Sequence, residues 1–360
     1  MQTGGKTMRL EKLRQSLAEE NLDAILVSGA DNRRYLSGFT GSAGHLLISP
    51  DRAVLATDFR YYEQVGREAR AFELARITTT MAALLPELLV EGAIRRLGFE
   101  GEYMTVSELQ TLSKATDGVE WVPLKETVAR LRAIKDEAEI ELLRRSAALN
   151  DEAFDHLTRT IRPGMTEREA AWEIEAYMRG HGASKVAFDL IVAAGPNGAL
   201  PHARPGDRVI EEGQPVVVDM GCVLDGYCSD MTRTFCLGEP SAHYLEVWQI
   251  VLRAQEAALH AVRAGLSGVA ADAAARDVIE AAGYGEQFGH GTGHGVGLAV
   301  HEKPRAGRLS EDTLQAGMSL TLEPGIYLPG QFGVRIEDLV IVREDGIENL
   351  TGSPKAPVLG

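Results

Sequence analysis

The chain has 360 residues, 44% hydrophobic and 25% charged, an ordinary composition for a soluble protein with one large and one smaller domain. Its 52 acidic against 37 basic side chains give a formal net charge of -15, a balance that repels phosphate backbones and argues against a nucleic-acid partner. Three clustered cysteines, Cys222, Cys228 and Cys236, argue against a disulfide-stapled secreted protein, and no uncharged apolar run approaches the ~20 residues of a membrane span.

The first third alternates helix and strand. Leu10, Leu13 and Leu17 sit at helical spacing behind residues 1–7, which read as a leader ahead of Met8 without an apolar signal core. The default location is therefore cytoplasmic. Ala24 to Val27 reads as a short strand. The glycine-rich loop 38–44 leads to a strand at His45 to Ile48, and Pro50-Asp51 turns it into a hairpin partner at Ala53 to Ala56. Helices are expected over Tyr61 to Arg70 and Met81 to Arg95, with a further strand at Arg96 to Glu100.

Near Lys135 the character changes, which places a domain boundary between 132 and 133. Lys135 to Leu157 reads as a long helix, and its run Lys135-Asp136-Glu137-Ala138-Glu139 as a solvated start. Thr166 with Glu169 has capping-box spacing and opens a second helix. Strands follow, and the order recurs with helices over Tyr244 to Ala264 and Val269 to Ala282. Two helices then strands, twice over, suggests a pseudo-duplicated α+β domain.

Three stretches of the second domain carry chemistry. An apolar strand, Pro215 to Val218, ends on Asp219; the chain turns at Asp225-Gly226 and returns through Asp230. With that turn Gly221 stands opposite Asp230, so Asp219 is its diagonal neighbour on the same face. Two such charges repel unless a cation sits between them, although a turn-capping Asp230 accounts equally well for this segment alone.

The second stretch has glycine at alternate positions around His290 and His294, with His301 close behind. The glycines spoil a helical zinc motif, and no Lys-Ser/Thr follows to make a phosphate loop. In the third, Glu323 and Glu337 interrupt apolar strands on either side of a Pro329-Gly330 turn. Buried carboxylates are costly unless paired or bound to metal. Four carboxylates and one imidazole suffice for two divalent ions, and mostly oxygen donors favour Mn²⁺, with Co²⁺ and Zn²⁺ as alternatives.

Val218-Asp219-x-Gly221, Tyr227-x-Ser229-Asp230-Met231-Thr232-Arg233-Thr234, Gly291 to Gly297, Glu323-Pro324-Gly325-Ile326-Tyr327 and Arg335-Ile336-Glu337-Asp338 resemble, in order, the motifs of the M24 metallopeptidases. Residues 37–42 and 57–61 are similar to the creatinase-type N-terminal domain of Xaa-Pro peptidases. The resemblance implies a pita-bread catalytic domain over 133–360 behind an α/β domain over 1–132, and metal ligands Asp219, Asp230, His294, Glu323 and Glu337. It implies that His202 contacts substrate across the site, that His301 stabilises the tetrahedral intermediate, that His290 lies near the proline pocket, and that Glu323 handles the proton of the attacking water. Arg335 is expected to orient the Glu337 region and Tyr327 to hydrogen-bond the intermediate, while Arg305 resembles an arginine that holds a dipeptide carboxylate in some prolidases.

The expected activity is release of the first residue from peptides with proline second, in the manner of aminopeptidase P. Xaa-Pro dipeptidase is the alternative, and a non-catalytic pita-bread binding module a distant one. Methionine aminopeptidase usually lacks the first domain and creatinase lacks the ligands. The family commonly dimerises, so a homodimer is expected. Thiolate is absent from the family's ligand set, so the cysteines are expected to pack.

Overall fold

A computed structural model describes the backbone of residues 2–359 and the side chains from residue 8; side chains of the expected leader lie outside the described residues. The chain divides between Arg132 and Ala133 into two compact units.

In the first unit, helix α1 (Gln2–Glu19) buries Leu10, Leu13 and Leu17, the face their spacing predicts. The apolar run Ala24–Val27 becomes strand β1, buried at every position as expected of an uninterrupted apolar strand. It pairs antiparallel with β2 (His45–Ile48), which forms the predicted hairpin with β3 (Ala53–Thr57). Strands β4 (Glu73–Arg76), β5 (Arg96–Glu100) and β6 (Glu120–Leu124) complete a six-stranded sheet in the order β4-β3-β2-β1-β5-β6. The sheet's outer strands β4 and β6 carry charge and partial exposure, so they gave the sequence reading no signal.

Helices α2 (Ala30–Ser37), α3 (Tyr62–Glu68), α4 (Met81–Glu91) and α5 (Val106–Ala115) connect the strands, and α6 (Thr127–Ala133) carries the chain across the boundary. Two helices are shorter than their spacing predicts. α3 follows a 3₁₀ turn whose N-cap, Asp58, accepts from the Arg60 amide, and α4 stops at Gly92, before Ala93 turns to a φ of 51°.

The second unit is built twice over. Helices α7 (Glu137–Thr160) and α8 (Glu167–Gly180) each begin with a complete capping box, Asp136 with Glu139 and the predicted Thr166 with Glu169. Strands β7 (Lys185–Val186), β8 (Ile191–Ala194), β9 (Pro215–Met220), β10 (Cys222–Leu224), β11 (Tyr227–Cys228) and β12 (Met231–Leu237) follow. Phe154, Leu157, Ile174 and Met178 of the helix pair pack on Val216, Val218 and Phe235 of the strands.

Then come α9 (Ala242–Ala261) and α10 (Gly268–Ala281), with strands β13 (Gly293–Gly295), β14 (Glu302–Ala306), β15 (Ser319–Leu322), β16 (Gly325–Leu328), β17 (Phe332–Arg335), β18 (Asp338–Arg343), β19 (Gly346–Asn349) and β20 (Val358–Leu359). Here Val247, Trp248, Val251 and Ile279 pack on Leu320, Leu322, Val334 and Val340. Each helix pair thus buries its apolar face on its own strands, at about 1.5–3 kcal/mol per large side chain. Cys222, Cys228 and Cys236 are free thiols packed in the interior.

The expected solvated start of α7 is corrected. Lys135 is buried in an ion pair with Glu302 (Nζ–Oε2 3.3 Å), and Glu139 is buried, accepting from the Tyr227 hydroxyl at 2.7 Å. Only the intervening residues 136–138 face solvent. The charges pair across folded distance, which a run read along the chain does not reveal.

Candidate metal centre

The first pair of carboxylates is set by strand register. β9 and β12 place Met220 opposite Met231 and Asp219 opposite Thr232, while β10 and β11 place Val223 opposite Cys228. One register runs through both, leaving Gly221 opposite Asp230 and Asp219 diagonal to it, as the Asp225-Gly226 turn predicts. Glycine is required at 221, because a Cβ there would lie 2.1 Å from the Ser229 carbonyl oxygen.

The second pair comes from the other half of the unit. Glu323 follows β15 and Glu337 precedes β18, and these strands pair antiparallel with Leu322 opposite Asp338. The Glu323 amide donates to the Thr292 carbonyl (2.8 Å) and the Glu337 amide to the Thr232 carbonyl (3.0 Å). Thr232 also donates its hydroxyl to Glu337 Oε2 at 2.6 Å and accepts from Arg335 Nε at 3.0 Å. Arg335 reaches on to Asp219 Oδ2 at 2.6 Å. Asp219 Oδ1, in contrast, is buried with no hydrogen-bond partner among the described residues.

His294 enters on β13, pressed against its neighbours: a Cβ at Gly293 would come within 1.8 Å of the Thr321 carbonyl oxygen. Its Nδ1 lies 3.0 Å from the Gly295 carbonyl, an acceptor only, so that nitrogen carries the proton and Nε2 offers a lone pair. Nε2 stands 3.3 Å from Glu323 Oε1 and 3.7 Å from Asp230 Oδ2. Asp230, His294 and Glu337 present ligand atoms within 4.8 Å of one another.

Electrostatics set this cluster apart. Burial raises the pKa of Asp230 well above the ordinary range, and the charges of Glu337, Asp219 and Glu323 add to it. Burial likewise raises Glu337, with Glu323 and Asp219 adding, and pushes Glu323 up to about 8. His294 moves the other way, to about 4, through burial and the nearby His301. Crowded acids held apart from water, a neutral imidazole and an orphaned carboxylate oxygen are a donor set that fits divalent cations.

The remaining predicted residues lie around this cluster. His290 Nδ1 lies 2.8 Å from the Gly291 carbonyl, so Nε2 accepts from the Tyr327 hydroxyl at 2.9 Å, and that hydroxyl accepts from Arg335 Nη1 at 2.8 Å. A chain of hydrogen bonds thereby runs from Asp219 through Arg335 and Tyr327 to His290. Burial pushes the Tyr327 hydroxyl up to about 12 and His290 down to about 4. His301 stacks edge-on against His294 with ring centres 4.4 Å apart. Its pKa is lowered by burial, then by Arg305 and His202.

Arg305 stands opposite His294 across β13 and β14, exposed, and its side chain has no ion pair among the described residues. His202 is exposed and makes no hydrogen bond among them, and it stands near enough to His290 and His301 to contribute to the lowering of both. The hydroxyls of Thr232 and of Thr321, which donates to Glu323 Oε1 at 3.2 Å, escaped the sequence reading. Alternation places Thr232 on its face of β12, but nothing along the chain identifies its carboxylate.

Comparison with known proteins finds relatives across both units. Residues 141–344 match the model of metallopeptidase family M24, and residues 9–134 that of the creatinase/prolidase N-terminal domain. A solved Xaa-Pro dipeptidase from Bacillus anthracis is 43% identical, with a TM-score of 0.96 over 98% of this chain and 99% of that one. An X-Pro aminopeptidase structure from Thermotoga maritima is 39% identical, with a TM-score of 0.89 over 96% and 99%. The curated Xaa-Pro dipeptidase of Pyrococcus furiosus is 36% identical over 95% of this chain and 97% of its own. The mixed α/β first unit and pita-bread second unit are thus those of a known architecture. Among the described residues no helix is long and apolar enough to cross a membrane.

Proposed function

The chain belongs to metallopeptidase family M24, and from that premise we propose that it is an Xaa-Pro dipeptidase, a metal-dependent hydrolase of dipeptides ending in proline. This departs from the aminopeptidase P activity expected from sequence, because dipeptidase names predominate among the relatives of known activity. The observation that carries the reading is Arg305, an exposed guanidinium without an ion pair among the described residues, near enough to His294 and His301 to lower both pKa values. A dipeptide differs from a longer peptide by a carboxylate beside its proline ring, and an exposed arginine is the partner such a group takes.

Asp219, Asp230, His294, Glu323 and Glu337 would hold two divalent ions, Mn²⁺ the first choice for so oxygen-rich a set. Bound there, the ions would supply Lewis-acid polarisation of the scissile carbonyl and a more acidic water. Glu323 takes the proton of the attacking water as the new carbon–oxygen bond forms. It returns that proton to the proline nitrogen as the carbon–nitrogen bond breaks. His301 and His202 donate to the oxygen on which negative charge develops. Tyr327 and His290 face the proline ring, and Arg335 holds Asp219 and Tyr327 in place.

The test compares Leu-Pro with Leu-Pro-Gly on Mn²⁺-loaded protein. Leu-Pro is expected to turn over at least about tenfold faster in kcat/KM, and Arg305→Ala to raise KM for the dipeptide. Faster turnover of the tripeptide overturns the dipeptide reading in favour of aminopeptidase P.

A further inference from the structure

Helix α10 carries a buried ion pair that the chemistry above leaves unused. Asp272 and Arg276, four residues apart, are 2% and 5% exposed. Arg276 donates to both Asp272 oxygens, Nε at 2.6 Å and Nη2 at 2.9 Å. Its other contacts leave the helix. Nη1 donates to the Phe288 carbonyl at 2.9 Å and Nη2 to the His290 carbonyl at 2.6 Å, with the guanidinium 4.1 Å from the centre of the Phe288 ring. Asp272 Oδ1 accepts from the Thr292 amide at 2.9 Å and the Thr292 hydroxyl at 2.8 Å.

Among the described residues, every side-chain bond the pair makes beyond itself falls on residues 288–292. A buried pair of this kind contributes little net stability against apolar residues of equal volume, so its consequence lies in what it orients. The oriented segment forms one wall of the site. The Phe288 ring meets His290 edge-on at 5.1 Å, His290 meets Tyr327 at 5.6 Å, and the Thr292 carbonyl accepts the Glu323 amide at 2.8 Å.

We propose that Asp272 and Arg276 are positioning residues for the proline side of the substrate site: Arg276 fixes the Phe288–His290 wall, and Asp272 fixes Thr292 and through it the main chain of Glu323. The proposal rests on the Xaa-Pro reading of this site. Lysine at 276 has a single ammonium and cannot reproduce a fork that bonds one carboxylate and two carbonyls while lying over a ring.

The experiment uses the full Mn²⁺-loaded chain and its Arg276→Met, Arg276→Lys and Asp272→Asn variants. It measures kcat and KM for Leu-Pro and Leu-Ala, amide hydrogen exchange over 286–294 and 320–325, and, on the same proteins freed of paramagnetic Mn²⁺, the His290 imidazole NMR signals. In Arg276→Met, KM for Leu-Pro is expected to rise about tenfold while kcat changes less than about threefold. Preference for Leu-Pro over Leu-Ala falls by a similar factor, exchange at 288–292 quickens, and Arg276→Lys recovers only part. Unchanged KM and exchange, or an equal loss of kcat on both dipeptides at constant KM, overturns the proposal.

If Arg276→Met does not fold, Asp272→Asn and Arg276→Lys carry the same expectation, and wild-type constants in both overturn it. If the unsubstituted protein does not prefer Leu-Pro, the Xaa-Pro reading fails by itself. The pair is then judged on exchange and on the His290 signals of the variants, and unshifted signals overturn it.

Discussion

Glu337 and Asp338 are adjacent, both buried, and opposite in character. Asp338 is saturated: Arg233 Nη2 lies at 2.8 Å, Lys355 Nζ at 2.6 Å, Gln255 Nε2 at 3.0 Å and Asn349 Nδ2 at 2.9 Å. Burial raises its pKa, but Arg233 and Lys355 outweigh that, and the net shift is downward. Glu337 points to the other side, among Asp219, Asp230 and Glu323, and its pKa rises. Nature of residue and depth of burial are nearly the same, so the difference is the sign of the surrounding charge. A buried acid ringed by cations is a rivet; one ringed by other acids is half of a site.

The largest test of this contrast is to remove each group. Asp230→Ala or Glu337→Ala is expected to lower kcat/KM for Leu-Pro by more than about a thousandfold. Either protein is expected to remain folded and, without metal, to be as stable as the parent in urea, since a repelling charge has gone. Asp338→Ala strands Arg233 and Lys355 and is expected to cost about 3–5 kcal/mol in the same urea titration.

Acid and base titrations sharpen the contrast further. Glu323, at about 8 when folded against an ordinary 4.5, binds its proton more tightly in the native state. Its contribution to metal-free stability is complete below about pH 4.5 and is lost as pH rises through about 8, on the order of 5 kcal/mol. Thermal melts of chelated protein should decline across that window, and Mn²⁺ should restore more at pH 8 than at pH 5. Asp338 runs oppositely: its contribution is present above pH 3.8 and is lost as pH falls below it. The smallest effect is expected of Thr232→Val, which removes one hydroxyl from Glu337 Oε2. Mn²⁺ affinity measured by calorimetry should weaken about tenfold, with Thr232→Ser recovering most of it.

The acidic cluster is legible in the sequence because its acids interrupt apolar strands, where a charge stands out. Asp219 and Asp230 were further related by a two-residue turn that fixes register. His294 was marked by the glycines that let its strand come close. Lys135 and Glu139 look solvated along the chain because each finds its partner far away in sequence, at Glu302 and Tyr227. Asp272 and Arg276 carry no signal in the sequence for a related reason. Their i,i+4 spacing is that of any surface helix pair, and only packing shows it to be buried. The helix ending at Glu91 stops earlier than apolar spacing predicts, because Gly92 and the left-handed Ala93 follow it.

The obstacle facing any side chain at position 293 is a carbonyl oxygen of the backbone rather than a movable rotamer. No compensating substitution nearby can make room, so this part of the centre is closed to stepwise drift and to the protein engineer alike. Changes in substrate range are more readily written at Arg305, which stands in solvent and can be exchanged without moving a strand.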